Sequence, residues 1–124
     1  MKRILVAEDR PGSLDLIRTV LESAGYEVIE AMDGQEAVEK ASCNSVDLFL
    51  LDLQMPKVDG FGVVAQLRKD PRFASTPIVA LTASAMYGDR ERALAAGFSS
   101  YIAKPVDLAA LRSELKRLIG GGNL

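Results

Sequence analysis

The 124-residue chain contains no histidine and a single cysteine, Cys43. Without histidine, Ser-His and Cys-His catalysis, histidine-ligated zinc and phosphohistidine carriage on this chain are excluded. One cysteine builds neither a disulfide framework nor a cysteine metal cluster, and Cys43 reads as a small hydrophobe at a helix end. No apolar run approaches the ~20 residues of a membrane span. The N-terminal MKRILVAEDR returns to charge at Glu8, too soon for a signal-peptide core. A cytoplasmic protein with no membrane attachment is expected. Charge of one sign is also lacking: 15 basic and 17 acidic residues are mixed along the chain, for a net charge of −2. With no basic block, direct nucleic-acid binding is not expected. Repeats, low-complexity tracts and internal linkers are absent as well.

What is present is 48% apolar content in a chain the size of one ordinary domain. Five apolar runs recur at regular spacing: Arg3 to Ala7, Glu27 to Ala31, Asp47 to Leu51, Pro77 to Leu81 and Ser100 to Ala103. The first, third and fourth are nearly continuous, as in parallel strands covered on both faces. The second alternates and suits an edge. Helix-period stripes lie between and after them. Leu14, Ile17, Val20, Leu21 and Ala24 form one, stopped by Gly25. Ala37, Val38 and Ala41 form a second. Val63, Val64 and Leu67 form a third, ended by Asp70-Pro71. Met86 to Ala96 is a fourth, stopped by Gly97. Leu108, Leu111, Leu115, Leu118 and Ile119 form the last, ended by three glycines, with Asn123-Leu124 frayed. Strand-helix repeated five times predicts an α/β fold: a parallel sheet with helices on both faces and right-handed crossovers.

The stretch LFLLDLQMPKVDG, from Leu48 to Gly60, poses the functional question. Four large apolar residues run into Asp52, although Asp is depleted from strands and a lone buried carboxylate is costly. Ligands of open parallel sheets bind outside the carboxyl ends of the strands. At those ends stand Glu8-Asp9, Asp52, Thr82-Ala83 and Lys104-Pro105, while the second run ends in a plain Met32-Asp33-Gly34 turn. Each has a bland reading: a helix-dipole partner for Glu8-Asp9, a turn residue for Asp52, a helix cap for Thr82, a solvated charge for Lys104. Coincidence at all four tips is far less expected than at any one. Under a 2-1-3-4-5 strand order, Asp9 and Asp52 face one crevice. Clustered carboxylates raise one another's pKa, and Mg²⁺, which wants oxygen ligands, relieves the repulsion. With Lys104 as a fixed positive charge, the set suits a nucleophilic carboxylate that takes a phosphoryl group.

These residues resemble the receiver domain of two-component response regulators. The likeness runs from Lys2 to Ile119 and rests on the ordered motifs ILVAED, DLFLLDLQMPKVDG, PIVALTA and AAGFSSYIAKP. It implies a flavodoxin-like three-layer (βα)5 fold with five parallel strands in the order 2-1-3-4-5. It also implies a receiver domain over 1–120 with a flexible tail over 121–124. Asp52 is then the phospho-acceptor. Glu8, Asp9, Asp52 and the backbone carbonyl of Gln54 are the Mg²⁺ ligands. Thr82 is the switch hydroxyl, Tyr101 the aromatic residue that moves with it, and Lys104 the phosphoryl-binding lysine, joined to Pro105 by a cis bond. The implied donor is a histidine kinase or a histidine phosphotransfer protein. The implied output is binding of a downstream protein target through the fourth helix, fifth strand and fifth helix, by a monomer or weak phosphorylation-dependent dimer. The chain would be no enzyme beyond its own phosphoryl transfer and dephosphorylation. With no output domain following, it is expected to be a single-domain, chemotaxis-regulator-like receiver or one cut from a hybrid kinase. Arg10 departs from the pattern, since a small polar residue usually follows the acidic pair. Gln54 and Ser84 stand at positions that tune phosphoryl lifetime.

Three rivals stand beside this reading. A haloacid-dehalogenase-type phosphatase wants a second Asp two residues after the nucleophile, where this chain has Gln54. A flavodoxin-like flavin carrier wants a Ser/Thr/Gly-rich loop where Glu8-Asp9 stand. A receiver-shaped scaffold that is never phosphorylated lacks any reason for the acidic, hydroxyl and lysine set.

Overall fold

The structure, a computed structural model, describes residues 1–55, 57–83 and 88–120. The expectations for Ser84, for the start of the Met86 to Ala96 stripe and for the 121–124 tail fall outside the described residues. The elements are β1 (Arg3–Ala7), α1 (Pro11–Ser23), β2 (Glu27–Ala31), α2 (Gly34–Cys43), β3 (Leu48–Asp52), α3 (Gly60–Lys69), a 3-10 turn (Pro71–Phe73), β4 (Ile78–Thr82), α4 (Asp89–Ala96), β5 (Ser100–Ala103) and α5 (Leu108–Ile119). The five strands are parallel in the order β2-β1-β3-β4-β5. This is the expected α/β, flavodoxin-like architecture.

The alternation of strand side chains sorts the core into two layers. Leu5, Ala7, Phe49, Leu51, Ile78 and Ala80 face α2, α3 and α4. Ile4, Val6, Leu48, Leu50, Val79 and Leu81 face α1 and α5. β3 and β4 are buried along their whole length, and the alternating β2 is an edge, as its pattern foretold. In the α2–α4 layer, the Phe49 ring meets Phe73 edge-on at 5.1 Å. A buried phenylalanine in such a pair supports the fold by about 3 kcal/mol or more.

Two strands run one residue further toward their carboxyl ends than the apolar runs suggest. At β3 the cause is Asp47: its side chain accepts the Arg3 N–H at 2.7 Å and its own N–H donates to the Arg3 carbonyl at 2.8 Å. It thus works as a bracket ahead of the ladder, and the ladder itself takes in Asp52, opposite Leu81. At β4, Pro77 has no N–H and only its carbonyl is used, by Phe49 at 3.0 Å. The 3-10 turn at Pro71–Phe73 has no counterpart in the sequence reading. Cys43 does close α2, yet it is exposed rather than packed. Gly60 shows why Asp59-Gly60 follows β3 so closely. A Cβ at Gly60 would lie 2.7 Å from the Asp52 carbonyl oxygen and 2.9 Å from the Leu53 Cα, so only glycine lets α3 begin against the end of β3.

Candidate functional site at the carboxyl edge of the sheet

Strand alternation also decides which tips meet. Glu8 follows Ile4 and Val6, Asp52 follows Leu48 and Leu50, and Lys104 follows Ile102, so all three leave the sheet on the α1/α5 side. The ladder extends far enough to hold them: the Glu8 N–H donates to the Ala31 carbonyl at 3.1 Å and the Lys104 N–H to the Thr82 carbonyl at 2.7 Å. The Lys104 ammonium donates to Glu8 Oε2 and to Asp52 Oδ2, each at 2.6 Å. The remaining oxygens are occupied as well. Asp52 Oδ1 accepts the Gln54 N–H at 2.9 Å, and Glu8 Oε1 accepts the Arg10 N–H at 3.3 Å. Glu8 is fully buried and Asp52 only 5% exposed. The Lys104–Pro105 peptide bond is cis.

Asp9 is half-buried and completes an acidic trio: one oxygen each from Glu8, Asp9 and Asp52 lies within 4.8 Å of the others. Burial pushes the Glu8 carboxyl above its usual range, and the Asp52 charge adds to this. The hydrogen bond and charge of Lys104 and the Arg10 N–H pull the other way without cancelling it. For Lys104, burial pulls the ammonium down, but the hydrogen bonds and charges of Asp52 and Glu8 outweigh it and hold the pKa above the usual value. Two carboxylates share the one ammonium and a third stands close to both, so the cluster is oxygen-rich and short of positive charge. That donor set fits a hard divalent cation such as Mg²⁺.

Thr82, the last residue of β4, and Tyr101 on β5 leave the sheet on the other face. Thr82 is buried, and Tyr101 packs against the α2–α4 layer, where it stands opposite Ala80 in the ladder. Thr82 is the next residue after Ala80 on that face, so hydroxyl and ring are diagonal neighbours. Thr82 does not cap α4, which begins after Gly88. Glu8 and Asp9 lie outside α1, whose first turn carries no acidic residue; Glu8 reaches the helix start only through the N–H of the capping residue Arg10, while its other oxygen faces Lys104. Beside the trio, a cavity of about 400 Å³ runs between the start of α1 and the β5–α5 connection. Its lining includes Glu8, Arg10, Ser13, Ala83, Lys104 and Val106. Sequence reasoning singled out the polar tips Glu8, Asp9, Asp52, Thr82 and Lys104 but not this cavity, whose walls come from separate elements.

Comparison with known proteins agrees with the geometry. The family model for the response regulator receiver domain matches residues 4–116. The polar-differentiation response regulator DivK of Brucella anthropi is 35% identical over 119 residues, 96% of this chain and 97% of that protein. The receiver domain of sensor histidine kinase PA1611 from Pseudomonas aeruginosa, solved with a magnesium ion coordinated in its active-site cleft, is 39% identical. It superposes with a TM-score of 0.89 over 96% of this chain and 98% of that one. Chemotaxis protein CheY4 of Vibrio cholerae is 30% identical, with a TM-score of 0.90 over 95% and 98% of the two chains. A match spanning nearly the whole fold, with an acidic trio and a lysine at the carboxyl edge, leaves no place for the phosphatase or flavin-carrier readings. The chain belongs to the response regulator receiver domain family.

Proposed function

We propose that this chain takes a phosphoryl group onto Asp52 from a histidine kinase or histidine phosphotransfer protein and passes the signal to a downstream protein by binding. The observation that carries the reading is the Lys104 ammonium at 2.6 Å from both Asp52 and Glu8, with Asp9 completing the trio. An Asp52 oxygen attacks phosphorus. The bond from phosphorus to the donor breaks, its electron pair leaves with the donor, and an acyl phosphate remains. Glu8, Asp9, Asp52 and the Gln54 carbonyl would hold Mg²⁺, which when bound neutralises charge on the transferring group. Lys104 supplies a positive charge to the phosphoryl oxygens in place of the Asp52 charge it loses. Beyond this transfer and the hydrolysis of the acyl phosphate, in which water takes the phosphoryl group and the Asp52 carboxylate is regenerated, the chain turns over no substrate.

Thr82 donates its hydroxyl to the phosphoryl group, and Tyr101 fills the space it leaves beside β5. That couples the crevice to the surface of α4, β5 and α5. A phosphoryl group adds about two negative charges, enough to favour one of two arrangements of these side chains. Residues 1–120 act as the receiver unit, as a monomer or a weak phosphorylation-dependent dimer.

The test is intact-mass spectrometry with a small phosphodonor and Mg²⁺. One phosphate is expected, lost in Asp52→Asn and in chelator. Equal labelling of Asp52→Asn would remove Asp52 from its role. No uptake by the parent from any histidine kinase or donor would favour the scaffold reading. Amide shifts on adding beryllofluoride with Mg²⁺ should reach the Tyr101 strand. Shifts confined to the loops around Asp9 and Asp52 would leave a phosphoryl store within a relay.

A further inference from the structure

Arg10 is the charged residue beside the trio that this scheme does not use. It is exposed and lines the same cavity of about 400 Å³ as Lys104, Ser13 and Ala83. Lys104 is spent between two carboxylates. Among the described residues, no hydrogen bond or ion pair holds the Arg10 guanidinium, whereas Arg18, Arg72 and Arg117 are each paired with a carboxylate. Only the Arg10 backbone is engaged, its N–H on Glu8 Oε1.

We infer that Arg10 grips the phosphoryl group of the incoming donor. The inference rests on the proposed transfer to Asp52 and adds the residue that gathers the donor. A guanidinium presents a planar fork that matches two phosphoryl oxygens at once. An exposed cation beside an acidic cluster offsets the repulsion that an anionic donor would otherwise meet, and so acts on encounter. The covalent step is unchanged: the Asp52 oxygen forms the new bond to phosphorus, and the donor leaves with the electron pair of the old one.

Uptake from acetyl phosphate, with acetate as leaving group, is to be followed by intact mass at saturating Mg²⁺ in the parent, Arg10→Gln and Arg10→Lys. The expected second-order rate for Arg10→Gln is roughly tenfold lower, with a shallower dependence on salt; Arg10→Lys, which keeps the charge but not the fork, should keep the salt dependence and recover only part of the rate. Methylphosphonate, which cannot transfer its phosphoryl group, should bind more weakly to Arg10→Gln by a similar factor in an amide NMR titration. Parent-like rate and affinity in Arg10→Gln would overturn the proposal, and so would equal losses in Arg10→Gln and Arg10→Lys. A parent that takes no phosphate while binding methylphosphonate in an Arg10-dependent way would instead overturn the Asp52 reading and keep the anion grip.

Discussion

Two cations sit partly inside this molecule and are held in opposite ways. Arg68, near the end of α3, lies toward the amino edge of the sheet. Its guanidinium donates to the carbonyls of Phe73 and Thr76 at 2.7 Å and of Gly97 at 2.8 Å, and more weakly to Ser99 Oγ at 3.3 Å. Lys104, at the carboxyl edge, is held by carboxylates. Burial therefore pulls the Arg68 guanidinium below its usual pKa, while the Lys104 ammonium is held above its own. Arg68 satisfies neutral backbone groups that lead into β4 and β5, and its surroundings call for no further charge. Lys104 leaves the trio around it short of positive charge. The first arrangement supports the fold; the second leaves an acidic cluster whose oxygens suit a further cation.

That contrast can be broken. The largest effect is expected for Arg68→Met, which keeps the stem but strands at least three carbonyls. Urea unfolding should show a loss of about 3 kcal/mol with phosphoryl uptake by the folded fraction unchanged. Next comes Gly60→Ala. Its Cβ would strike backbone atoms of Asp52 and Leu53, so α3 must shift, at about 2 kcal/mol, and the uptake rate should fall as Asp52 moves. At the carboxyl edge the sign should reverse. Asp9→Asn relieves like-charge repulsion and should raise stability by about 1 kcal/mol in the absence of Mg²⁺, while calorimetry should show Mg²⁺ affinity lost.

The smallest effect is in the alkaline limb. Because the Lys104 pKa is raised on folding, its contribution is fully present below the usual lysine value of 10.5 and is lost as pH rises through the higher folded value. Thermal melts above pH 10.5 should fall more steeply in the parent than in Lys104→Met. A parallel slope would mean that the ammonium adds nothing to stability.

The fold and most of the site's cluster were legible for the same reason. Period-2 and period-3.6 patterns fix which residues face which layer, and residues at strand tips inherit their face from the strand behind them. Asp9 and Asp52 could thus be placed at one crevice, with Lys104 as the counter-charge, from the pattern and the strand order that the resemblance implies; that Lys104 bridges Asp52 to Glu8 was seen only in the structure. Arg68 could not be placed, because its acceptors are backbone carbonyls, and these leave no mark in a sequence. The one-residue offset of β3 was hidden because Asp47 and Asp52 bracket the same apolar run, and only the Arg3 hydrogen bonds tell bracket from ladder. The exposure of Cys43 was hidden too, since a helix end offers both a packed and an open side.

The outer border of the sheet carries a last consequence, which concerns self-association. Along β2, the Glu30 carbonyl that points away from β1 is taken by the Lys40 ammonium, and the Glu27 and Glu30 side chains pair with Arg3 and Arg18. The opposite border, β5, is four residues long and runs through Lys104 into Pro105, which has no N–H to offer. Charge on one border, and brevity followed by proline on the other, discourage a foreign strand from adding to the ladder. Growth of the sheet by backbone pairing is thus disfavoured at both borders, so another chain would be met by side chains rather than by an added strand.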